Sequence, residues 1–319
     1  MNRRLTAHPM SEPVAFLFPG QGSQAVGMGK DLCSRFPVAR EVFNEADAVL
    51  GFALSELCFS GPQEELTLTA NTQPALLTVS YALTRVLREE LNIQPRWAAG
   101  HSLGEFSALV AAGGLSFAAA LRVVRERGLA MQEAVPKGVG SMVAVLGLEA
   151  GDVDDICRAA ADGQIVSAAN LNGGGQIVIA GQREAVDRAA VLAKTRGAKR
   201  VVALAVSAPF HCALMQPAAE RLERVLAPIP VAPLQFPVIS NVEATSSAAE
   251  RVKVLLVRQV VSPVRWQESV EELARLGCTA AIEVGPGRVL SGLVKRIAPQ
   301  IRCTPAEDLD ALRVVAGAA

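Results

Sequence analysis

The chain has 319 residues, half of them hydrophobic but only 4% aromatic, and its 31 Lys+Arg balance its 31 Asp+Glu. That length suits one large domain, or a large domain with a smaller insert, and apolar content carried by Ala, Val and Leu reads as a soluble α/β protein. Zero formal net charge excludes a global field that would draw the chain to nucleic acid or to a membrane surface, so neither partner is expected.

The opening segment MNRRLTAHPMSEP carries positive charge but no apolar core, so residues 1–13 are expected to be a frayed tail, neither signal peptide nor anchor, with His8 in it. VAFLFPG (14–20) reads as a buried strand ending in the glycine-rich turn PGQGSQ, and FPVAREVFNEADAVL has helical spacing. TQPALLTVSYALTRVLREEL (72–91) predicts a long helix whose apolar first half is packed inside the molecule. A short strand around RWAAG then enters the turn GHSLGE and a small-residue helix, and SFAAALRVVRERGLAMQEAV (116–135) is a further helix, stopped by Pro136 and Gly138.

From residue 139 the rhythm changes to strand, helix, two strands around a turn, helix and strand, the βαββαβ order of a ferredoxin-like unit. After His211 helices and strands alternate again, with a strand read in FPVISN and another in TAAIEVGPG. The expected architecture is one α/β domain built from residues 14–138 and 207–319, interrupted by a subdomain at 139–206. The six cysteines are scattered without a CxxC pair, which points to reduced thiols and a cytoplasmic setting, and three histidines speak against a zinc site.

Gly100-His101-Ser102-Leu103-Gly104 fits G-x-S-x-G, the turn that exposes a nucleophilic serine between a strand and a helix N-terminus. There free N–H groups, that of Leu103 among them, stabilise an oxyanion. Serine needs a base. His8 falls in the tail and His101 adjoins Ser102 on a sharp turn where side chains diverge, so elimination leaves His211. An acid between Ser102 and His211 would complete a triad, but Asp152, Asp154, Asp155, Asp162 and Asp187 have no fitting setting, which leaves a backbone carbonyl as the alternative. Gln21, between two glycines at the end of the first strand, is either a turn residue or a second oxyanion donor. Arg127 has Val123, Val124, Ala130 and Met131 as its helical neighbours, so it either clamps a substrate carboxylate or makes an internal salt bridge.

Together FPGQGSQAVGMG, GHSLGE, RGLAMQEAVP, PFHCALM, SPVRW and EVGPGRVLSGLVKR, spread over residues 14–296, resemble the malonyl-CoA:acyl carrier protein transacylases of fatty-acid synthesis and the acyltransferase domains of polyketide synthases. The resemblance implies an α/β-hydrolase-like core with a ferredoxin-like insert. It implies Ser102 as the acyl-accepting nucleophile, His211 as base oriented by the Gln259 main-chain carbonyl, Gln21 and the Leu103 N–H as oxyanion hole, and Arg127 as clamp for the malonyl carboxylate. Phe210 and Leu103 resemble malonyl-type sequences, with Met131 lining the same pocket. The substrates implied are malonyl-CoA and phosphopantetheinylated acyl carrier protein, with no cofactor and a monomeric enzyme. Where the family often has Asn-Ser-Pro-Gly-Gln, this chain has Asn172-Gly173-Gly174-Gly175-Gln176. Lys194, Arg196, Lys199 and Arg200, with Lys295 and Arg296, offer basic surface for an acidic carrier protein. Two rivals stand beside this reading, a serine esterase or thioesterase and a non-catalytic acyl-CoA-binding subunit.

Overall fold

The computed structural model describes residues 12–319 except 137, 205, 207, 316, 318 and 319; His8 and most of the expected tail lie outside the described residues. Strand β1 (Val14–Phe18) is buried at all five positions, as a strand covered on both faces of a parallel sheet must be. Four helices follow, α1 (Lys30–Arg35), α2 (Pro37–Leu50), α3 (Leu54–Ser60) and α4 (Gln63–Thr67), of which only α2 has a long apolar stripe and was legible as a helix.

Helix α5 (Thr69–Arg85) is buried on nearly every side. Two of its threonines are satisfied within the helix: the Thr78 and Thr84 hydroxyls donate to the Pro74 and Ser80 carbonyls, each at 2.8 Å. The predicted helix does not run straight to residue 91, because Val86–Glu90 forms a π-helical turn before strand β2 (Pro95–Gly100). Beyond it come α6 (Leu103–Ala111) and α7 (Phe117–Glu133), the latter capped by the Ser116 hydroxyl, which accepts from the Ala119 N–H.

Residues 140–203 form β3 (Gly140–Leu146), α8 (Ala150–Ala161), β4 (Val166–Leu171), β5 (Gln176–Gln182), α9 (Arg183–Thr195) and β6 (Arg200–Ala203). The chain closes with α10 (Gln216–Leu226), β7 (Val238–Ile239), α11 (Val252–Val261), α12 (Trp266–Arg275), β8 (Ala280–Glu283), α13 (Val289–Ile297), β9 (Arg302–Pro305) and α14 (Leu309–Val315). β7 is shorter than FPVISN suggested. It pairs with β2 through Ala98–Val238 and Ala99–Ile239 and makes a single antiparallel bridge from Ile239 to Ser246, and Pro237 before it can accept from the Ala98 N–H but has no N–H of its own to donate to the ladder.

The fold is therefore mixed α/β with two separate sheets. One is a five-stranded parallel sheet ordered β7-β2-β1-β8-β9, and the other an antiparallel sheet ordered β4-β5-β3-β6. The antiparallel sheet shows the period-2 alternation of a two-faced layer. Val143, Val145, Ile177 and Ile179 pack on α8 and α9, whereas Met142, Ala144, Val178 and Ala180 join the main core. Its edge is stitched to the larger unit where the Leu171 N–H donates to the Val264 carbonyl and the Val264 N–H to the Ala169 carbonyl, both at 2.9 Å. Among the described residues no helix is long and apolar enough to cross a membrane. The carboxyl ends of β1 and β2 lie side by side at one rim of the parallel sheet, which brings the turns at Gln21 and Ser102 together.

Candidate active site

Ser102 occupies φ 51°, ψ −103°, a conformation costly for a non-glycine residue that persists only when its surroundings impose it. Two contacts do so: the Ser102 N–H donates to Asn241 Oδ1 at 2.7 Å, and Asn241 Nδ2 donates to the Gly100 carbonyl at 2.6 Å. The flanking glycines are required by closeness. A Cβ on Gly100 would run into the Gly104 carbonyl, and one on Gly104 into the Phe18 carbonyl oxygen. Leu103 opens α6, so its N–H has no helical carbonyl behind it and is available at the serine.

Ser102 Oγ lies 2.8 Å from His211 Nε2, and His211 Nδ1 lies 2.8 Å from the Gln259 main-chain oxygen. A carbonyl can only accept, so Nδ1 carries the proton and Nε2 presents its lone pair to the serine hydroxyl. The aspartates considered from sequence lie in or beside α8 and α9, on the far face of the antiparallel sheet. His211 is buried, and burial first, then the Arg127 charge, pushes its pKa down from 6.5 to about 3. The ring is thus neutral and able to take a proton across the ordinary pH range. The His211 imidazole resonances, assigned by comparison with His211→Gln, should stay flat from pH 8 to about pH 5; a midpoint near 6.5 would contradict this placement.

Arg127, on α7, is only 2% exposed. Its Nη1 donates to Gln73 Oε1 at 2.9 Å, and its Nη2 to Gln259 Oε1 at 2.8 Å and to Ser102 Oγ at 3.2 Å. Its Nε has no partner, and the guanidinium sits 5.5 Å from the Phe106 ring centroid. Burial lowers its pKa to about 10, opposed by the charge of Glu105, so it remains a cation. Among the described residues no carboxylate forms an ion pair with it. Its five donors are met by neutral oxygens and a cavity, which is a poor substitute for an anion.

That cavity, about 110 Å³, is lined by Gln21, Ser102, Leu103, Arg127 and His211 on its polar side and by Met131 and Phe210 on its apolar side. The antiparallel sheet closes it with Met142, Asn170 and Val178. Gln21 donates through Nε2 to Thr69 Oγ1 at 3.2 Å, which holds its side chain at the rim. Ser102, Leu103, His211, Gln21, Arg127, Met131 and Phe210 therefore converge here, with Gln259 directly behind His211.

His101 also lines the cavity, but its ring nitrogen turns away from the serine. Its Nε2 lies 2.9 Å from Asn172 Oδ1, its ring packs 5.7 Å from that of Trp266, and burial lowers its pKa. It ties the elbow to the turn after β4. There Gly173, Gly174 and Gly175 all have positive φ (82°, 59° and 69°), a path that explains three glycines in succession.

Sequence reasoning missed Gln73, Asn241, the Gln259 side chain and Glu105. Glu105 is buried in α6, and its Oε2 accepts from the Asn241 N–H at 3.0 Å and from Gln259 Nε2 at 2.6 Å. Burial raises its pKa to about 7 against these hydrogen bonds and the Arg127 charge. The signal was present: an acid surrounded by Leu103, Phe106, Ala108 and Leu109 is as anomalous as Arg127 among its apolar neighbours.

The acyl transferase domain model matches residues 15–315 of the chain. The chain belongs to the acyl transferase domain family. Malonyl CoA-acyl carrier protein transacylase of Escherichia coli K12 is 50% identical over 284 residues, 89% of this chain and 92% of the relative. The Bacillus subtilis protein of that name is 48% identical over 303 residues, 94% of this chain and 95% of the relative. A malonyl-transacylase solved in complex with its type II PKS acyl-carrier protein superposes with a TM-score of 0.93 at 48% identity, covering 96% of this chain and 99% of that one. An acyl carrier protein S-malonyltransferase from Vibrio cholerae gives the same TM-score and identity over 95% of this chain and 100% of that one.

Proposed function

We propose that this acyl transferase moves the malonyl group from malonyl-CoA to the phosphopantetheine thiol of an acyl carrier protein through a malonyl ester on Ser102, supplying extender units for fatty-acid synthesis. The observation that carries the specificity is Arg127: a buried cation without an ion-paired acid among the described residues, 3.2 Å from the Ser102 hydroxyl. Relatives of about half identity over nearly the whole chain carry the activity in their names.

The chemistry follows from the hydrogen bonds. As Ser102 Oγ attacks the thioester carbonyl, His211 Nε2 takes the hydroxyl proton, and the Gln259 carbonyl stabilises the resulting imidazolium through Nδ1–H. The Leu103 N–H and Gln21 receive the oxyanion. The C–S bond breaks, His211 returns the proton to the CoA sulfur, and the same steps run with the carrier thiol as nucleophile restore Ser102. One thioester replaces another, so exchange is reversible and needs no cofactor beyond the two substrates. Met131 and Phe210 fill the apolar side of a small pocket, which leaves little space for an α-methyl group.

Residues 14–138 and 207–319 are read as an α/β-hydrolase-like core and 139–206 as a ferredoxin-like subdomain, a reading supported by the β6-β3-β5-β4 strand order with both helices on one face. The test is direct. Wild-type protein incubated with malonyl-CoA should gain one malonyl group by intact mass and lose it to holo-acyl carrier protein; no adduct, or an adduct that only water removes, refutes the proposal.

Lys194, Arg196, Lys199, Arg200, Lys295 and Arg296 are all exposed. Lys199 and Arg296 flank the glycine turn, Lys199 against Gly147 and Arg296 against Gly174, close to the Asn172 that reaches His101. This is the surface proposed to receive an acidic carrier protein. Reversing Lys199 and Arg296 to Glu should raise KM for the carrier protein about 10-fold or more while leaving transfer from CoA to Ser102 unchanged; an unchanged KM places docking elsewhere.

A further inference from the structure

We infer that Glu105 is a positioning residue for acyl-group selection: its carboxylate fixes the Gln259 side-chain amide in the one orientation that holds Arg127 beside Ser102. This rests on the reading of Arg127 as the clamp for the malonyl carboxylate.

Gln259 is where the machinery meets. Its main-chain oxygen takes His211 Nδ1–H, its Oε1 takes Arg127 Nη2, and its Nε2 donates to the Ser102 carbonyl at 3.1 Å. A side-chain amide can turn over, and in the flipped state its NH2 would face the Arg127 donors, hydrogen against hydrogen. What prevents the flip is an acceptor on the other side. Glu105 Oε2, 2.6 Å from Gln259 Nε2, is the nearest of three acceptors there, beside the Ser102 carbonyl at 3.1 Å and Asn241 Oδ1 at 3.4 Å, and the one among them that can carry a charge. The same oxygen takes the Asn241 N–H, so Glu105 also steadies the residue whose Oδ1 holds the Ser102 N–H.

Glu105, on α6, is 3% exposed and is not among the residues lining the cavity at Ser102. Its charge is the one that Arg127 feels through the intervening amide. Burial raises the Glu105 pKa to about 7, so where it is ionised it opposes the Arg127 charge in an empty pocket, until a substrate carboxylate takes that part. A residue that merely propped up the elbow would affect every acyl group alike. One that acts through Gln259 on Arg127 affects only acyl groups bearing a carboxylate.

The deciding measurement is the rate of Ser102 loading from malonyl-CoA and from acetyl-CoA, read by quenched mass spectrometry on the intact protein. Glu105→Gln keeps the volume but can present an NH2 to Gln259. It should lower the malonyl-to-acetyl loading ratio about 10- to 100-fold, the scale of a misplaced positioning group, on top of any loss through Asn241 that both acyl groups share. In an Arg127→Ala background the same substitution should have no further effect on the malonyl-to-acetyl ratio. Equal losses for both acyl groups, or effects that add across the two positions, overturn the inference. Glu105→Asp, which keeps the charge on a shorter stem, should fall between wild type and Glu105→Gln. It decides alone if thermal unfolding shows that Glu105→Gln does not fold, since a ratio equal to wild type would then refute the role. A wild type that loads acetyl as readily as malonyl would instead refute the Arg127 clamp, and the inference with it.

Discussion

Ser102→Ala incubated with malonyl-CoA should stay at its unmodified mass, and transfer to carrier protein should fall by at least about a thousandfold. The substitution removes the one hydroxyl that His211 Nε2 faces at 2.8 Å and leaves the backbone contact from the residue-102 N–H to Asn241 in place, so the elbow keeps its support. The neighbouring thiol cannot take over. Cys212, next to the base, is buried with its thiol pushed up to about 11, and its sulfur is turned to the Pro209 carbonyl. Holding water against the oxyanion donors would give hydrolysis, not an adduct. A malonyl adduct forming on Ser102→Ala at the wild-type rate would remove Ser102 from the mechanism.

How far the sequence reached depended on the range of each interaction. The elbow is local: its glycines, serine and following helix lie within a few residues, so composition and order reveal it. His211 is 109 residues away, yet a chain with three histidines leaves few candidates. Arg127 was visible because a cation among Val123, Val124 and Met131 contradicts its own helix, but its alternatives were separable only in three dimensions, where no acid among the described residues forms an ion pair with it. Glu105, Asn241 and the Gln259 amide were out of reach because their bonds join residues 136 and 154 positions apart and nothing local encodes which donor meets which acceptor. The same holds for the sheet edges. β7 and β9 take strand form only because β2 and β8 offer them a ladder, and RCTP shows no alternation to announce it.

The second large effect concerns the acyl group. Arg127→Ala should slow malonyl loading of Ser102 by about 100- to 1,000-fold, the scale of losing a charge-assisted contact made in a dry site, while acetyl loading is retained or rises. The asymmetry has a physical cause. Malonyl brings a carboxylate into a cavity of about 110 Å³, and without the guanidinium that charge would face Gln73 Oε1 and Gln259 Oε1, two acceptors left without their donor. Acetyl brings no charge and only has to displace whatever fills the vacated volume. Removing the cation also lifts its downward pull on the His211 pKa, which leaves the base intact for either thioester. A serine esterase built on the same elbow would be indifferent to the change, because its leaving group and acyl chain need no buried cation. The malonyl-to-acetyl ratio therefore separates the two chemistries in a single comparison: a ratio that does not move on Arg127→Ala would take acyl selection away from this residue, and a ratio that collapses would tie specificity to the buried cation that touches the nucleophile.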